Sequence, residues 1–311
     1  MSIKYIFFGS SEFSRIILER LIINNFYPEL VITQPDRPKK RGLNILPTEL
    51  AIFAEKNNIS VLKPISLKKE DFLRKIKELD VDFFVVADYG KILPKELLSI
   101  PKKMSIGIHP SLLPKYRGPA PINWVSINGE KETGVTIFKM SEFLDSGDII
   151  LQRKIPIKDT DDFFSLYNRL ALESVSVLIE SIKLIMEGKV SFVKQDEKEA
   201  TFMRKLKKED GKINWNKTAL EIFNLVRGVI NWPCAFTYYK NKLIKILKVE
   251  LTDLASEDTP STIVKIDKSG IYVATSDRLL KITKLKPESK KEMDAYSFTL
   301  GHKVKLKERF E

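Results

Sequence analysis

The sequence predicts an α/β protein: an open, mostly parallel sheet with helices on both faces, followed by a small β-barrel. Three observations predict it. Apolar, β-rich runs alternate with helix-period segments through the first half of the 311 residues. The run at 81–87, VDFFVVA, is nearly continuous, as a strand covered on both faces must be. After Trp232-Pro233, five short apolar runs follow with only turns between them. The first half is therefore doubly wound and Rossmann-like.

In order, residues 4–8 read as a buried first strand and 11–23 as a helix, with Phe13, Ile16, Ile17, Leu21 and Ile22 on one broad face. Residues 30–32 give the second strand, 49–56 a helix, 60–62 a strand and 69–79 an amphipathic helix. Strands follow at 81–87, 104–108 and 135–140, and 164–186 is one long helix that ends the first domain. Ligands of such sheets bind beyond the carboxyl ends of strands. His109 directly follows one strand and Asp145 follows another, so both are expected at one crevice. Residues 195–208 are polar and charged and read as a linker. The expected division is 1–194, the linker, and 209–311. In the last part, 218–229 is helical, and strands are expected at 235–239, 244–250, 261–267, 270–275 and 279–284.

Composition narrows the classes of function. A 43% hydrophobic and 30% charged chain suits a globular protein with a solvated surface. No apolar run reaches the roughly 18 residues of a membrane span, and the N-terminus lacks a signal peptide's apolar region. The single cysteine, Cys234, cannot form an internal disulfide and reads as a buried packing residue, which fits a reducing, cytoplasmic setting. The formal charge of +12 is uneven: residues 205–311 hold 22 Lys and Arg against 14 Asp and Glu. Such an excess points to a polyanion, nucleic acid above all. The turn at Phe8-Gly9-Ser10-Ser11 has one glycine, so a dinucleotide fingerprint is absent, and so is a phosphate-binding loop of the ATPase type.

The chemistry concentrates between His109 and Asp148, HPSLLPKYRGPAPINWVSINGEKETGVTIFKMSEFLDSGD. An imidazole titrates near physiological pH, and a carboxylate beside it favours its cationic form. His109 and Asp145 are thus a candidate acid/base pair; Asp148 is read as a loop residue. The other histidine, His302, is read as a surface or turn residue.

HPSLLPKYRGPAPI followed by ETGVTI and LDSGDI resembles the signature of the 10-formyltetrahydrofolate-dependent formyltransferases. The turn at 8–13, the loop TQPDRPKKRG at 33–42, DYGKILP at 88–94, and Lys205-Leu206, Ile213-Asn214-Trp215 and Asn231-Trp232-Pro233 extend the likeness over nearly the whole chain. Within that family it is most similar to the members that formylate initiator methionyl-tRNA. The resemblance implies transfer of a formyl group from 10-formyltetrahydrofolate to the methionyl amine, with no metal. It makes His109 and Asp145 catalytic. It assigns Ser111, Leu112, Leu113, Pro114, Tyr89, Gly90 and Ile92 to the folate and acceptor site, and Arg37, Lys39, Lys40 and Arg41 to the tRNA. It implies an OB-like C-terminal barrel that binds tRNA; a monomer is expected. Two alternatives remain: formylation of a nucleotide-linked amino sugar, and a non-catalytic RNA-binding relative. The second draws on one departure, Gly107, where the family carries asparagine two residues before the histidine. A glycine leaves room for a water or for close approach of the main chain. The expectation is therefore an active enzyme with a substitute donor to the oxyanion.

Overall fold

The computed structural model describes residues 3–39 and 44–311. Packing divides it into two compact units. The first holds residues up to 121, then 132–156 and 167–203; the second holds 122–131, 157–166 and 204–311.

The first unit is built on a seven-stranded sheet. Its strands are β1 (Tyr5–Gly9), β2 (Leu30–Ile32), β5 (Val61–Leu62), β6 (Phe83–Ala87), β7 (Met104–His109), β8 (Glu132–Lys139) and β9 (Ile149–Pro156), in the order β5-β2-β1-β6-β7-β8-β9. Five are parallel, and β8 and β9 run antiparallel. β1 and β6 are buried at every residue, which is why their sequences carry no polar alternation. Helix α1 (Glu12–Ile23) starts on a capping box between Ser11 and Ser14. Gly9 lets that helix sit close to the sheet, since a Cβ there would lie 2.4 Å from Ser14 Cβ. Helices α2 (Glu49–Lys56), α3 (Glu70–Glu78) and α4 (Lys95–Leu98) follow, and α6 (Phe163–Met186) is the long helix expected. Strand order reverses between β1 and β6, which puts a topological switch point at Ser10 and Asp88.

Two features depart from the sequence reading. β9 was not anticipated, because IILQRKIP places charge at the outer edge of the sheet. The antiparallel β8 is the other. The chain leaves it at Lys139, opposite Ile106, so Asp145 does not follow a strand end on the same edge as His109. It comes back to the histidine on the 140–148 loop.

The second unit is an antiparallel sheet in the order β10-β11-β14-β13-β12. Its strands are β10 (Ala235–Tyr239), β11 (Lys242–Ala255), β12 (Ile263–Asp267), β13 (Gly270–Ala274) and β14 (Arg278–Pro287), with β15 (Met293–Asp294) paired to β14. The two edges are joined by the C-terminal residues. Lys307 and Phe310 donate backbone N–H groups to the Ile263 and Ser261 carbonyls, and Glu311 exchanges both backbone bonds with Tyr238. Phe310 anchors this closure by stacking on Trp215 at 5.7 Å. Helix α7 (Ala219–Gly228) and α8 (Ala295–His302) pack on the core, as do Trp124 and Ile127 of α5 (Pro121–Ile127). Cys234 is half-buried, with its thiol donating to the Ile230 carbonyl, and His302 stacks on Phe298. No described helix is long and apolar enough to cross a membrane.

Glu308 ties the closing segment to the barrel. Its carboxylate accepts from the Tyr239 hydroxyl, the Lys305 N–H and Lys240, which hold its pKa down to about 2 from an ordinary 4.5. A depressed carboxylate stabilises the fold above its unfolded value and loses that contribution as pH falls through the folded value. Glu308→Gln is therefore expected to lower the thermal midpoint near neutrality. The gap between variant and wild type should narrow between pH 4.5 and about 2 in melts followed by circular dichroism. A constant gap across that range would contradict the role.

Candidate active site

His109 is the last residue of β7 and is buried. Its Nε2 lies 2.8 Å from the Tyr116 carbonyl oxygen. A carbonyl can only accept, so Nε2 carries a hydrogen and Nδ1 is the nitrogen left to gain or lose a proton. Nδ1 faces the Asp145 carboxylate, with Oδ2 at 3.7 Å. The same Oδ2 accepts the Gly118 N–H at 2.8 Å. The two groups singled out in the sequence are thus brought together.

The loop after His109 is fastened to the sheet. Thr136 of β8 donates its hydroxyl to the Ser111 carbonyl at 2.6 Å and accepts the Leu113 N–H. Gln152 of β9 donates to both the Leu113 carbonyl and Thr136 Oγ1. The Ser111 hydroxyl donates to the Lys115 carbonyl, and Leu113 packs with Phe138 and Ile149. Leu112 stands against Gly134, and Pro114 follows a cis peptide bond. Ser111 and Leu113 are therefore structural in their side chains; Leu112 and Pro114 are half-buried.

At the switch point the residues expected around folate differ among themselves. The Tyr89 ring is a core residue, edge-on to Phe8, and burial pushes its hydroxyl up to about 12. Its carbonyl accepts from Ser10 Oγ and Gln34 Nε2. Gly90 is exposed with φ +76°, a conformation that favours glycine. Ile92 is 71% exposed. Arg37 and Lys39 lie in β3 (Arg37–Lys39), which pairs with β4 (Asn44–Leu46); Lys40 and Arg41 lie outside the described residues.

The space at Gly107 is not open. A Cβ there would stand 2.4 Å from Phe138 Cζ and 2.5 Å from Cε1. Gly107 and Phe138 are cross-strand partners, so the ring lies over the glycine. The expected room for a water at the glycine is filled by an aromatic side chain, which corrects that reading.

Gln195 and Arg117 were missed as site residues. Gln195 falls in the stretch read as a linker, yet it is 4% exposed and bonds the Asp145 loop. Residues 195–203 pack with the first unit, so the linker reading fails for them. Nothing in the local pattern marked Gln195; Arg117 was seen only as one cation of the loop. Among the described residues no group of His, Cys, Asp or Glu could hold a metal ion.

In the second unit, β11 and β14 set lysine against lysine. Lys245 pairs with Lys286 and Lys248 with Lys284. A register shift between Ile246 and Lys248 keeps all four on one face. Lys284 is paired with Glu292 at 2.8 Å, and like charges directly opposed repel, so Lys245, Lys248 and Lys286 leave this face an excess of positive charge.

Sequence comparison gives the family of the chain. The formyl transferase family matches residues 2–182, and the formyl transferase C-terminal domain matches residues 205–303. A protein of Thermodesulfovibrio yellowstonii named methionyl-tRNA formyltransferase is 44% identical over 98% of this chain and 97% of its own. One of the same name from Clostridium acetobutylicum is 41% identical over 97% of each. Among solved structures, HypX of Aquifex aeolicus in complex with tetrahydrofolic acid superposes with a TM-score of 0.67 at 16% identity. It covers 99% of this chain, which spans about half of that protein (49%), and it shows the fold alone. With a family match over most of the first unit and near-full-length relatives at this identity, the chain belongs to the formyl transferase family.

Proposed function

We propose that this protein transfers the formyl group of 10-formyltetrahydrofolate to the amine of methionyl initiator tRNA. The single observation that carries the reading is the pairing of buried His109 with half-buried Asp145 at 3.7 Å, with Nδ1 turned to the carboxylate. The amine attacks the formyl carbon and a C–N bond forms. Negative charge collects on the formyl oxygen before the bond to the folate nitrogen breaks. The amine loses one proton and the folate nitrogen gains one. His109 stabilises the charge and moves the proton; Asp145 balances the imidazolium. The loop at Leu112 and Pro114 and the exposed backbone at Gly90 and Ile92 line the donor and acceptor side, with Ser111, Leu113 and Tyr89 shaping it from within. No metal takes part. Arg37, Lys39, Lys40 and Arg41 are assigned to binding the acceptor end of the tRNA.

The first unit is the catalytic domain and the second the tRNA-binding domain of a cytoplasmic monomer. The boundary follows packing, so residues 122–131 and 157–166 go with the second. The opposed lysines of β11 and β14 favour tRNA over a small amino-sugar acceptor, which needs no extended cationic face. Formylation of purified methionyl initiator tRNA, dependent on the folate donor, is the expected result. A nucleotide-linked amino sugar should remain unmodified. Binding of tRNA without turnover at saturating donor would defeat the enzyme reading.

Affinity for tRNA should fall steeply with salt. Each phosphate contact contributes a little under one unit to the slope of log affinity against log salt. Lys245→Ala, Lys248→Ala and Lys286→Ala together are expected to reduce that slope by about two to three units. An unchanged slope in a fluorescence titration would remove this face from the interface.

A further inference from the structure

Asp145 is held from behind by Gln195, a residue outside the stretch that carries the pair. It is a non-glycine residue at φ +50°, a conformation that persists only where its surroundings hold it. Gln195 supplies that hold. Its Nε2 donates to the Asp145 carbonyl at 2.8 Å and to the Gly147 carbonyl at 2.7 Å, so both hydrogens of one amide go to one loop. Its Oε1 accepts from Arg117 Nε at 3.1 Å and Nη2 at 2.8 Å. A guanidinium cannot accept a hydrogen bond, so the amide cannot turn over. Arg117 is 2% exposed and forks onto Glu197, which holds the Glu197 carboxyl below its usual range. Its backbone pairs with Thr201 and Met203. The next residue, Gly118, donates its N–H to Asp145 Oδ2. A closed ring of contacts therefore runs from the Asp145 carboxylate through Gly118, Arg117 and Gln195 back to the Asp145 carbonyl.

We infer that Gln195, locked by Arg117, is the positioning residue of the His109–Asp145 pair. It sets the Asp145 backbone so that the carboxylate stands beside His109 Nδ1. The catalytic consequence rests on the proposed formyl transfer; the positioning itself does not.

The chain has two histidines, so its imidazole spectrum is simple, and His302 in the second unit serves as an internal reference. The test records ring 1H–15N signals at one fixed pH for wild type, Asp145→Asn, Gln195→Met and Gln195→Glu, and for each Gln195 variant combined with Asp145→Asn. Asp145→Asn is expected to move the His109 signals, and both Gln195 variants to move them in the same direction. Neither should move them further once Asp145 is replaced, and His302 should stay in place. His109 signals that coincide with wild type in the Gln195 variants, or that shift equally with Asp145 already replaced, would overturn the inference. Gln195→Glu keeps the volume and the Arg117 contact but loses both donors, so it carries the comparison if Gln195→Met does not fold. In formylation the Gln195 variants should lose about 10- to 100-fold in kcat, as a small misplacement does, with KM for donor and tRNA within about threefold. On Asp145→Asn they should cause no added loss. Full kcat in these variants overturns the positioning and leaves the proposed function standing. A wild type that does not formylate defeats the function, and the ring signals still decide the positioning.

Discussion

Replacement of His109 by alanine is expected to slow single-turnover formylation by about 100- to 10,000-fold, the range of a lost general acid/base. The imidazole is anchored through Nε2 on the Tyr116 carbonyl, so Nδ1 alone is left to exchange protons with the reacting groups. Asp145→Asn should lose about 100-fold or more by the same reasoning, because it removes the charge beside Nδ1 and keeps the shape. Gly118 and Gln195 bond the backbone and one oxygen of residue 145, and an amide oxygen can accept the Gly118 N–H as the carboxylate does. Both variants should give circular dichroism spectra close to wild type; His109→Ala should also melt somewhat lower, since it leaves the Tyr116 carbonyl without its imidazole partner. Rates must be read at saturating donor and methionyl-tRNA, so that weakened binding is not mistaken for slowed chemistry. Near-normal rates in folded protein would remove the pair from the reaction.

Gly107→Asn is expected to destabilise the protein by about 1–3 kcal/mol, the range for forcing atoms into a packed site. The new Cβ would stand 2.4 Å from the Phe138 ring, and the ring cannot retreat freely because it packs with Leu113 and Ile149. Phe138→Ala alone should cost about 3–5 kcal/mol through the cavity it leaves. In the double variant the asparagine enters that cavity, so the combined loss should fall short of the sum by about 0.5 kcal/mol or more. Urea unfolding of the four proteins gives the cycle. Wild type should turn over, and Gly107→Asn should turn over more slowly, because displacing Phe138 disturbs the loop that follows His109. A rise in activity with an unchanged unfolding midpoint would show that residue 107 has room after all. It would also support the asparagine that the family resemblance implies at this position.

Much of the fold was legible because burial leaves a local trace. β1 and β6 are covered on both faces and so read as unbroken apolar runs. α1 shows its apolar face at helical spacing, with Ser11 as its cap. β9 was not legible: Leu151 to Lys154 are partly or fully exposed, and the strand looks like loop sequence until it is paired with β8. The barrel strands were found, but its closure by residues 307–311 was not, since a few backbone bonds to Ser261, Ile263 and Tyr238 leave no periodicity.

The α/β class, the two-part organisation, the cationic C-terminal region and the candidacy of His109 and Asp145 were legible in the residues alone. These are properties of composition, short-range periodicity and fixed spacing. The tertiary structure alone decided the direction of β8, and with it the route by which Asp145 reaches His109. It also decided that Phe138 fills the space at Gly107, that lysines oppose one another across β11 and β14, and that Gln195 clasps the Asp145 loop. Each is a contact between residues far apart in the chain or a register between strands. The energy of such a contact depends on geometry that no local pattern of residues records.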